Sequence, residues 1–167
     1  MIAWLLTGCV GVPKGVKPVQ GFELNRYLGR WYEIARLDHS FERGLSHVTA
    51  DYSMREDGGV RVLNRGYSEK KKEWKAAEGK AYIVKTPDLG YLKVSFFGPF
   101  YGSYVVFELD QKDYQYSVIS GPNKSYLWIL ARTPEIEPEL RNQLVSKAAA
   151  LGFNATKLIF PKQGSPP

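Results

Sequence analysis

Gly29-Arg30-Trp31 begins the first strand-like segment of the chain, and Leu127-Trp128-Ile129-Leu130-Ala131-Arg132-Thr133 forms the last one. If the segments between them close into a barrel, the guanidinium of Arg132 reaches the indole of Trp31 where the two ends of the sheet meet. The pair then forms a cation–π clasp over the closed end of the barrel. Because a single Gly-x-Trp motif is frequent by chance, the sequence between the two stretches decides the prediction.

That intervening sequence contains strand-like runs separated by turn residues at a spacing of roughly 8–12 residues, the pattern of an all-β sandwich or barrel. Asp57-Gly58-Gly59 is a strong hairpin signal, and Gly98-Pro99 and Gly121-Pro122-Asn123 supply further turns. Short connections favour antiparallel neighbours, so we predict an eight-stranded up-and-down antiparallel β-barrel. The predicted strands are 31–37, 47–54, 60–67, 74–85, 91–97, 104–109, 114–120 and 126–132.

One helix is predicted after the eighth strand. Apolar residues recur at helical spacing from Pro138 to Leu151, and Gly152 follows as a stop signal. We expect this amphipathic helix to pack on the outside of the barrel. The chain has 167 residues and no linker or repeat, so we assign residues 21–163 to one barrel domain with its helix and residues 164–167 to a tail.

The composition argues against several classes of function. The net charge is +6, but Lys and Arg alternate with Asp and Glu along the chain, so a nucleic-acid partner is not expected. The two histidines are His39 and His47, and the chain has no Gly-x-Ser-x-Gly elbow, phosphate loop or metal-spaced His and Cys cluster. We therefore predict no catalytic residues, no metal site and no cofactor.

Cys9 is the only cysteine of the chain, so no disulfide is expected. Leu6-Thr7-Gly8-Cys9 resembles a bacterial lipobox, in which the cysteine thiol receives diacylglycerol and the chain is cleaved just before it. We interpret residues 1–8 as part of a signal peptide, with the true start codon further upstream, and residues 9–20 as the lipidated Cys9 and a flexible tether. Val10 is not the Asp that retains such proteins in the inner membrane, which favours the outer membrane; an incidental cysteine is the alternative.

A family resemblance covers the chain from Asn25 to Phe160. The chain resembles the lipocalins, specifically the bacterial outer-membrane lipoprotein lipocalins that are akin to apolipoprotein D. The residues that carry the resemblance are YLGRWYEIAR (27–36), FERG (41–44), SFFGPFYG (95–102), Asp110, Asp113-Tyr114 and YLWILARTP (126–134). They match the three conserved lipocalin regions in order and spacing.

The resemblance implies a ligand cavity that opens at one end of the barrel, and strand alternation predicts what lines it. If Trp31 and Arg132 face the interior, stepping by two places Glu33 and Ala35 inside as well, and Glu33 pairs with Arg132 or another inward polar group or orients a ligand. The interior is then mainly apolar and accepts an acyl chain. The residues predicted to contact that chain are Tyr52, Met54, Val94, Phe96, Trp128 and Leu130.

The loops after the first, third, fifth and seventh strands should surround the opening. They carry cations together with the apolar stretch 97–101, and such a rim suits an anionic membrane surface or lipid head group. The residues predicted near a ligand head group are Arg36, His39, Arg43 and Lys124.

The sequence thus predicts a protein that stores or transports fatty acids or lysophospholipids during envelope maintenance. It would be anchored through Cys9 to the periplasmic face of a bacterial outer membrane. Two alternatives stay open: an enzyme that acts on a lipid inside the barrel, with Glu33 or His39 as acid or base, and a structural envelope lipoprotein whose barrel is solid. The sequence also leaves open whether two barrels pair as a homodimer.

Overall fold

Eight strands form one closed antiparallel barrel in the computed structural model, which describes residues 10–165. Each strand pairs with the next along the chain, and β1 pairs with both β8 and β2, which closes the sheet. The predicted up-and-down barrel is therefore confirmed. The strands are β1 (Gly29–Leu37), β2 (Leu45–Met54), β3 (Val60–Ser68), β4 (Glu73–Ile83), β5 (Tyr91–Phe97), β6 (Phe100–Leu109), β7 (Tyr116–Ser120) and β8 (Leu127–Ala131).

The two ends of the barrel differ. One end, the closed end, is crossed by the short helix α1 (Leu24–Tyr27) and carries the connections after β2, β4 and β6. The other end, the mouth, carries the connections after β1, β3, β5 and β7. The β5–β6 connection is tighter than predicted, because β6 begins at Phe100 and Phe97 pairs with it directly. Gly98 permits this turn with a φ of 49°.

Helix α2 (Pro138–Ala150) lies outside the barrel, as the sequence predicts. Leu144 and Ala148 are its fully buried residues, and they belong to an apolar cluster with the outward side chains of neighbouring strands. Within residues 10–165, no helix is long and apolar enough to cross a membrane.

Arg132 covers Trp31 at the closed end. Its guanidinium carbon lies 3.9 Å from the centroid of the Trp31 ring, and its nitrogens donate to the carbonyl oxygens of Tyr114, Arg30 and Arg26 at 3.1, 2.9 and 2.8 Å. Gly29 has a φ of 95° where the chain passes this guanidinium, a conformation that favours glycine. One side chain thus ties α1, β1 and the β6–β7 turn together.

A bulge in β1 changes which side chains face the interior. The pairing between β1 and β8 shifts by one residue between Glu33 and Ala35. As a result Glu33 and Arg36 both face inward, and Ala35 lies in the cluster beneath α2. The prediction that Ala35 faces the interior is wrong, because strict alternation fails at a bulge.

The C-terminal segment pairs with the part of β1 that β2 does not reach. The two strands pair only from Gly29 to Tyr32 on the β1 side, and β9 (Leu158–Ile159) then pairs with the end of β1. Gln163 donates from its side-chain amide to the carbonyls of Glu33 and Val48, both at 2.9 Å. This C-terminal strap therefore bridges the two diverging strands.

The segment from Val10 to Gln20 packs against the barrel, which differs from the flexible tether that we expect from its sequence. Val16 is buried, and the Val19 amide donates to Val106 while its carbonyl accepts from Gly90. Ser103 on β6 donates to the Gly11 carbonyl at 2.5 Å. The predicted leader (1–8) and Cys9 lie outside the described residues.

We predict that Arg132→Ala lowers the free energy of unfolding by on the order of 3 kcal/mol, since it removes the cation over Trp31 and three charged hydrogen-bond donors. Urea titration measures this change. The matched control is Arg141→Ala, which removes an arginine 5.3 Å from the ring of the exposed Phe160 and should cost less than about 0.5 kcal/mol. Equal stabilities of the two variants would contradict the role of the clasp.

Candidate functional site

The floor of the barrel interior is a cluster of tyrosines above Trp31. The Tyr104 hydroxyl lies 2.7 Å from the Tyr27 hydroxyl and 2.9 Å from that of Tyr52, and Tyr27 also contacts the Ser117 hydroxyl at 2.9 Å. Burial raises the pKa of Tyr27 to about 12, so all these phenols stay neutral. Mutual hydrogen bonds satisfy their polar atoms without charge, as a buried polar group requires.

Apolar side chains line the interior between this floor and the mouth. Val94, Phe96 and Trp128 belong to the interior cluster, yet each keeps partial solvent exposure. Phe96 is exposed toward a groove that it shares with Phe97 and Glu78 at the edge of the barrel, whereas Val94 and Trp128 face the interior and its mouth. Leu130, in contrast, is buried beside β1 at the position of Glu33.

Two of the predicted acyl contacts differ from expectation in position. Tyr52 faces inward but belongs to the tyrosine floor, so it ends the accessible space and does not form its wall. Met54 ends β2 at the closed end, beside the turn to β3, and is 47% exposed. The expectation that Met54 lines the cavity is not met, because alternation gives the face of a residue but not its height along the barrel.

Arg36 lies inside the barrel near the mouth at the centre of a charged cluster. It is 2% exposed, and its Nη1 donates to Glu33 Oε1 at 2.8 Å while its Nε donates to Asp38 Oδ1 at 3.2 Å. It also donates to the carbonyls of Glu42 and Leu45 in the β1–β2 loop. We expect Arg36 at the exposed rim from sequence; the bulge in β1 turns it inward instead, where it fastens this loop over part of the mouth.

Glu42 completes the cluster from the β1–β2 loop. Trp128 Nε1 donates to Glu42 Oε1 at 3.0 Å, and His39 Nε2 lies 3.1 Å from the same oxygen without hydrogen-bond alignment. The His39 ring packs 3.8 Å from that of Phe41 and 5.4 Å from that of Trp128, centroid to centroid. Both nitrogens of His39 and Oε2 of Glu42 are buried without an aligned hydrogen bond, although Glu42 Oε2 lies 3.9 Å from Arg36 Nε.

The protonation of the two glutamates differs. Burial raises the pKa of Glu33 well above its usual value, and the nearby Glu42 raises it further, although Arg36 opposes both effects. Burial also acts to raise the pKa of Glu42, but contacts with His39, Glu33 and Trp128 outweigh it and lower that pKa to about 2. Glu42 therefore carries the negative charge at the mouth, and Glu33 is the carboxyl that retains a proton more readily.

The other two cations expected near a head group lie at the edge of the mouth. Arg43 is largely exposed and donates to Asp38 Oδ2 at 3.1 Å. Lys124 extends over Gly152, directly after α2, where a cation suits the negative end of the helix dipole. The interior of the mouth thus holds more carboxylates than free cations. The sequence analysis did not predict the contact between Glu42 and Trp128. The only signal for it in the sequence is that one residue type can accept a hydrogen bond and the other can donate one.

Residues 10–165 contain no group of three or more His, Cys, Asp or Glu side chains that could hold a metal ion. Glu33 and His39, the residues that we considered as an acid or base, are both buried at the mouth end of the interior. The carboxyl group of Glu33 forms an ion pair with Arg36.

We predict that Arg36→Gln costs on the order of 3 kcal/mol of unfolding free energy, because it leaves buried carboxylates without a counter-charge. Adding Glu33→Gln should recover part of this loss. Because folding raises the pKa of Glu33, its contribution to stability is complete below the ordinary pKa of about 4.5 and declines as the pH rises toward the raised value; Glu33→Gln alone should remove this decline.

Urea titrations from about pH 4 to about pH 8 test both statements. Arg61→Gln is the control, since Arg61 pairs with Glu78 on the exposed face of the barrel. A loss in Arg36→Gln that matches that of Arg61→Gln, or that is unchanged by Glu33→Gln, would contradict the description of the cluster.

Comparison with known proteins agrees with this architecture. Residues 22–163 match the family model described as a lipocalin-like domain. Insecticyanin from the tobacco hornworm Manduca sexta has the same fold, with a TM-score of 0.73 at 23% identity over 93% of this chain and 88% of that one.

Relatives found by sequence comparison have higher sequence identity to this chain than insecticyanin has. Outer membrane lipoprotein Blc of Vibrio cholerae is 62% identical over 95% of this chain and 93% of its own length, and the Escherichia coli K12 protein of the same name is 48% identical over 96% and 92%. Apolipoprotein D of Bos taurus is 33% identical over 87% and 80%. With its closed eight-stranded barrel, outer helix and family match, the chain belongs to the lipocalin family.

Proposed function

We propose that the barrel stores or transports lipids with a single acyl chain, namely fatty acids or lysophospholipids, at the periplasmic face of a bacterial outer membrane during envelope maintenance. The observation that carries this proposal is the partial exposure of the inward-facing Val94 and Trp128. It supports an accessible apolar space between the tyrosine floor and the mouth. Burying each methylene of an acyl chain there gains about 0.8 kcal/mol.

The charge at the mouth favours one of these two ligand classes. Glu42 is ionised, has one buried oxygen that makes no hydrogen bond and lies 3.9 Å from Arg36 Nε, and stands beside the aromatic rings of Phe41 and Trp128 around His39. A carboxylate beside aromatic faces attracts an ammonium group. A lysophospholipid with an ammonium in its head group therefore suits this mouth better than the carboxylate of a fatty acid.

The placement at the outer membrane is supported by the names of the relatives, several of which are called outer membrane lipoproteins. Cys9 and the lipobox-like residues before it supply the means of attachment. A diacylated or triacylated cysteine holds a protein stably at a bilayer, whereas one acyl chain does not.

We predict that lysophospholipid binding perturbs the fluorescence of Trp128 saturably. Affinity should rise about fourfold for each methylene added between a ten-carbon and a sixteen-carbon chain, as apolar area is buried. Trp128→Phe should remove most of the signal, since Trp31 is fully buried and Trp74 lies on the far side of β4. An affinity that does not depend on chain length would favour the solid-barrel alternative.

The head group is tested with the same assay. Glu42→Gln should weaken a lysophosphatidylethanolamine more than a fatty acid of equal chain length, and more at low than at high salt. Glu73→Gln, an exposed carboxylate on the β3–β4 hairpin, is the control and should leave both affinities unchanged. An equal effect of Glu42→Gln on both ligands would argue against recognition of an ammonium.

The anchor is tested in cells. When the gene is expressed from an in-frame upstream start, radiolabelled palmitate should appear on the protein, and Cys9→Ser should abolish the label. Mass spectrometry of the N-terminal peptide identifies the modified residue. Palmitate that persists in Cys9→Ser, or that never appears, would contradict anchoring through Cys9.

A further inference from the structure

The β5–β6 hairpin exposes more aromatic surface than any comparable turn among the described residues. Phe97 and Phe100 are 78% and 75% exposed, although they flank a tight turn of Gly98 and Pro99. No charged residue occurs from position 94 to position 107. Charged residues of neighbouring segments, Arg55, Glu78 and Lys80, line a groove beside Phe97, so the uncharged surface is confined to the hairpin itself. Exposed aromatic side chains on such a hairpin mark a surface that contacts an apolar partner.

The first described residues of the N-terminal segment lie on the strands of this hairpin. Ser103 on β6 holds the Gly11 carbonyl at 2.5 Å, and Tyr91 on β5 donates to the carbonyl of Val10. Ser103 is three residues along β6 from Phe100, which is roughly 10 Å. Cys9 precedes Val10 directly, so a lipid on Cys9 would be attached one residue before a residue that is held on the barrel wall.

The outer face of the same strands carries side chains that suit a lipid head-group region. Lys93 on β5 lies over the Tyr101 ring of β6, with its Nζ 4.8 Å from the centroid. Both residues are partly exposed. Tyrosine and lysine side chains concentrate at membrane interfaces, because each combines an apolar body with a polar tip.

The exposed phenylalanines, the held N-terminal segment and the Lys93–Tyr101 pair all lie on the wall that β5 and β6 form. We propose that the β5–β6 hairpin inserts Phe97 and Phe100 into the same bilayer that holds the lipid on Cys9. The inference rests on the proposed function only in naming Cys9 as the attachment point. Two contacts on one wall fix the tilt of the barrel and hold its mouth beside the membrane, so that a single-chain lipid enters the cup with little exposure to water.

The proposal is tested with lipidated protein in vesicles of phosphatidylethanolamine and phosphatidylglycerol whose acyl chains are brominated, since bromine quenches tryptophan at contact. Phe100→Trp places a probe on the hairpin. Met54→Trp is the matched control, because Met54 is 47% exposed but lies at the closed end. Roughly half of the emission added by Phe100→Trp should be quenched if the ring lies at the head-group and acyl boundary, and that added by Met54→Trp should not be.

A second arm separates this inference from lipidation in cells. If the purified chain carries no lipid, Cys9 is coupled to a maleimide phospholipid in the same vesicles, and the quenching is measured again. Quenching of Phe100→Trp above that of Met54→Trp then still supports the orientation. Equal quenching of the two probes with Cys9 attached by either route would overturn it.

A second copy of the chain is the competing occupant of the hairpin. In that case the emission of Phe100→Trp would already be shifted to the blue in solution without vesicles, and dilution would reverse the shift. This result would overturn the proposal, whereas a solvent-exposed emission in solution that shifts to the blue only with vesicles supports it. Phe97→Trp provides an independent repeat at the neighbouring position.

Discussion

The barrel closes only because β1 pairs on both of its edges, and the remaining features follow from how it does so. Its first residues pair with β2 and its later residues with β8. A regular strand cannot follow both neighbours as they diverge, and the bulge between Glu33 and Ala35 relieves this conflict. The same bulge turns Arg36 into the interior, so a requirement of closure places a charge inside an otherwise apolar barrel.

That charge determines the character of the mouth. Arg36 attracts Glu33, Asp38 and Glu42, and by donating to the carbonyls of Glu42 and Leu45 it organises the loop between β1 and β2. Trp128 joins the cluster from β8 through Glu42. The interior is therefore divided into a neutral tyrosine floor, an apolar middle and an ionised upper rim.

The sequence was sufficient for the architecture and for the composition of the interior. Turn residues and two-residue alternation are local signals, so they located the eight strands and helix α2 within a few residues. The heights of Tyr52 and Met54 along the barrel depend on strand stagger, which alternation does not encode. The inward turn of Arg36 depends on a bulge that no residue in GRWYEIARL announces, and the direction of Lys124 depends on where α2 ends. These are properties of the assembled sheet, and a single sequence does not display them.

The C-terminal strap has a consequence for the order in which the chain acquires its structure. Gln163 bonds to Glu33 across 130 residues, and it fills a gap that no earlier residue occupies. Contacts of such long sequence separation form late and slowly. Nearly the whole polypeptide must therefore be present before the gap between β1 and β2 is bridged, whereas β1 and β8 can pair as soon as residue 131 is available. Closure of the sheet and bridging of this gap are thus separate stages of folding, and the second depends on the last residues of the chain.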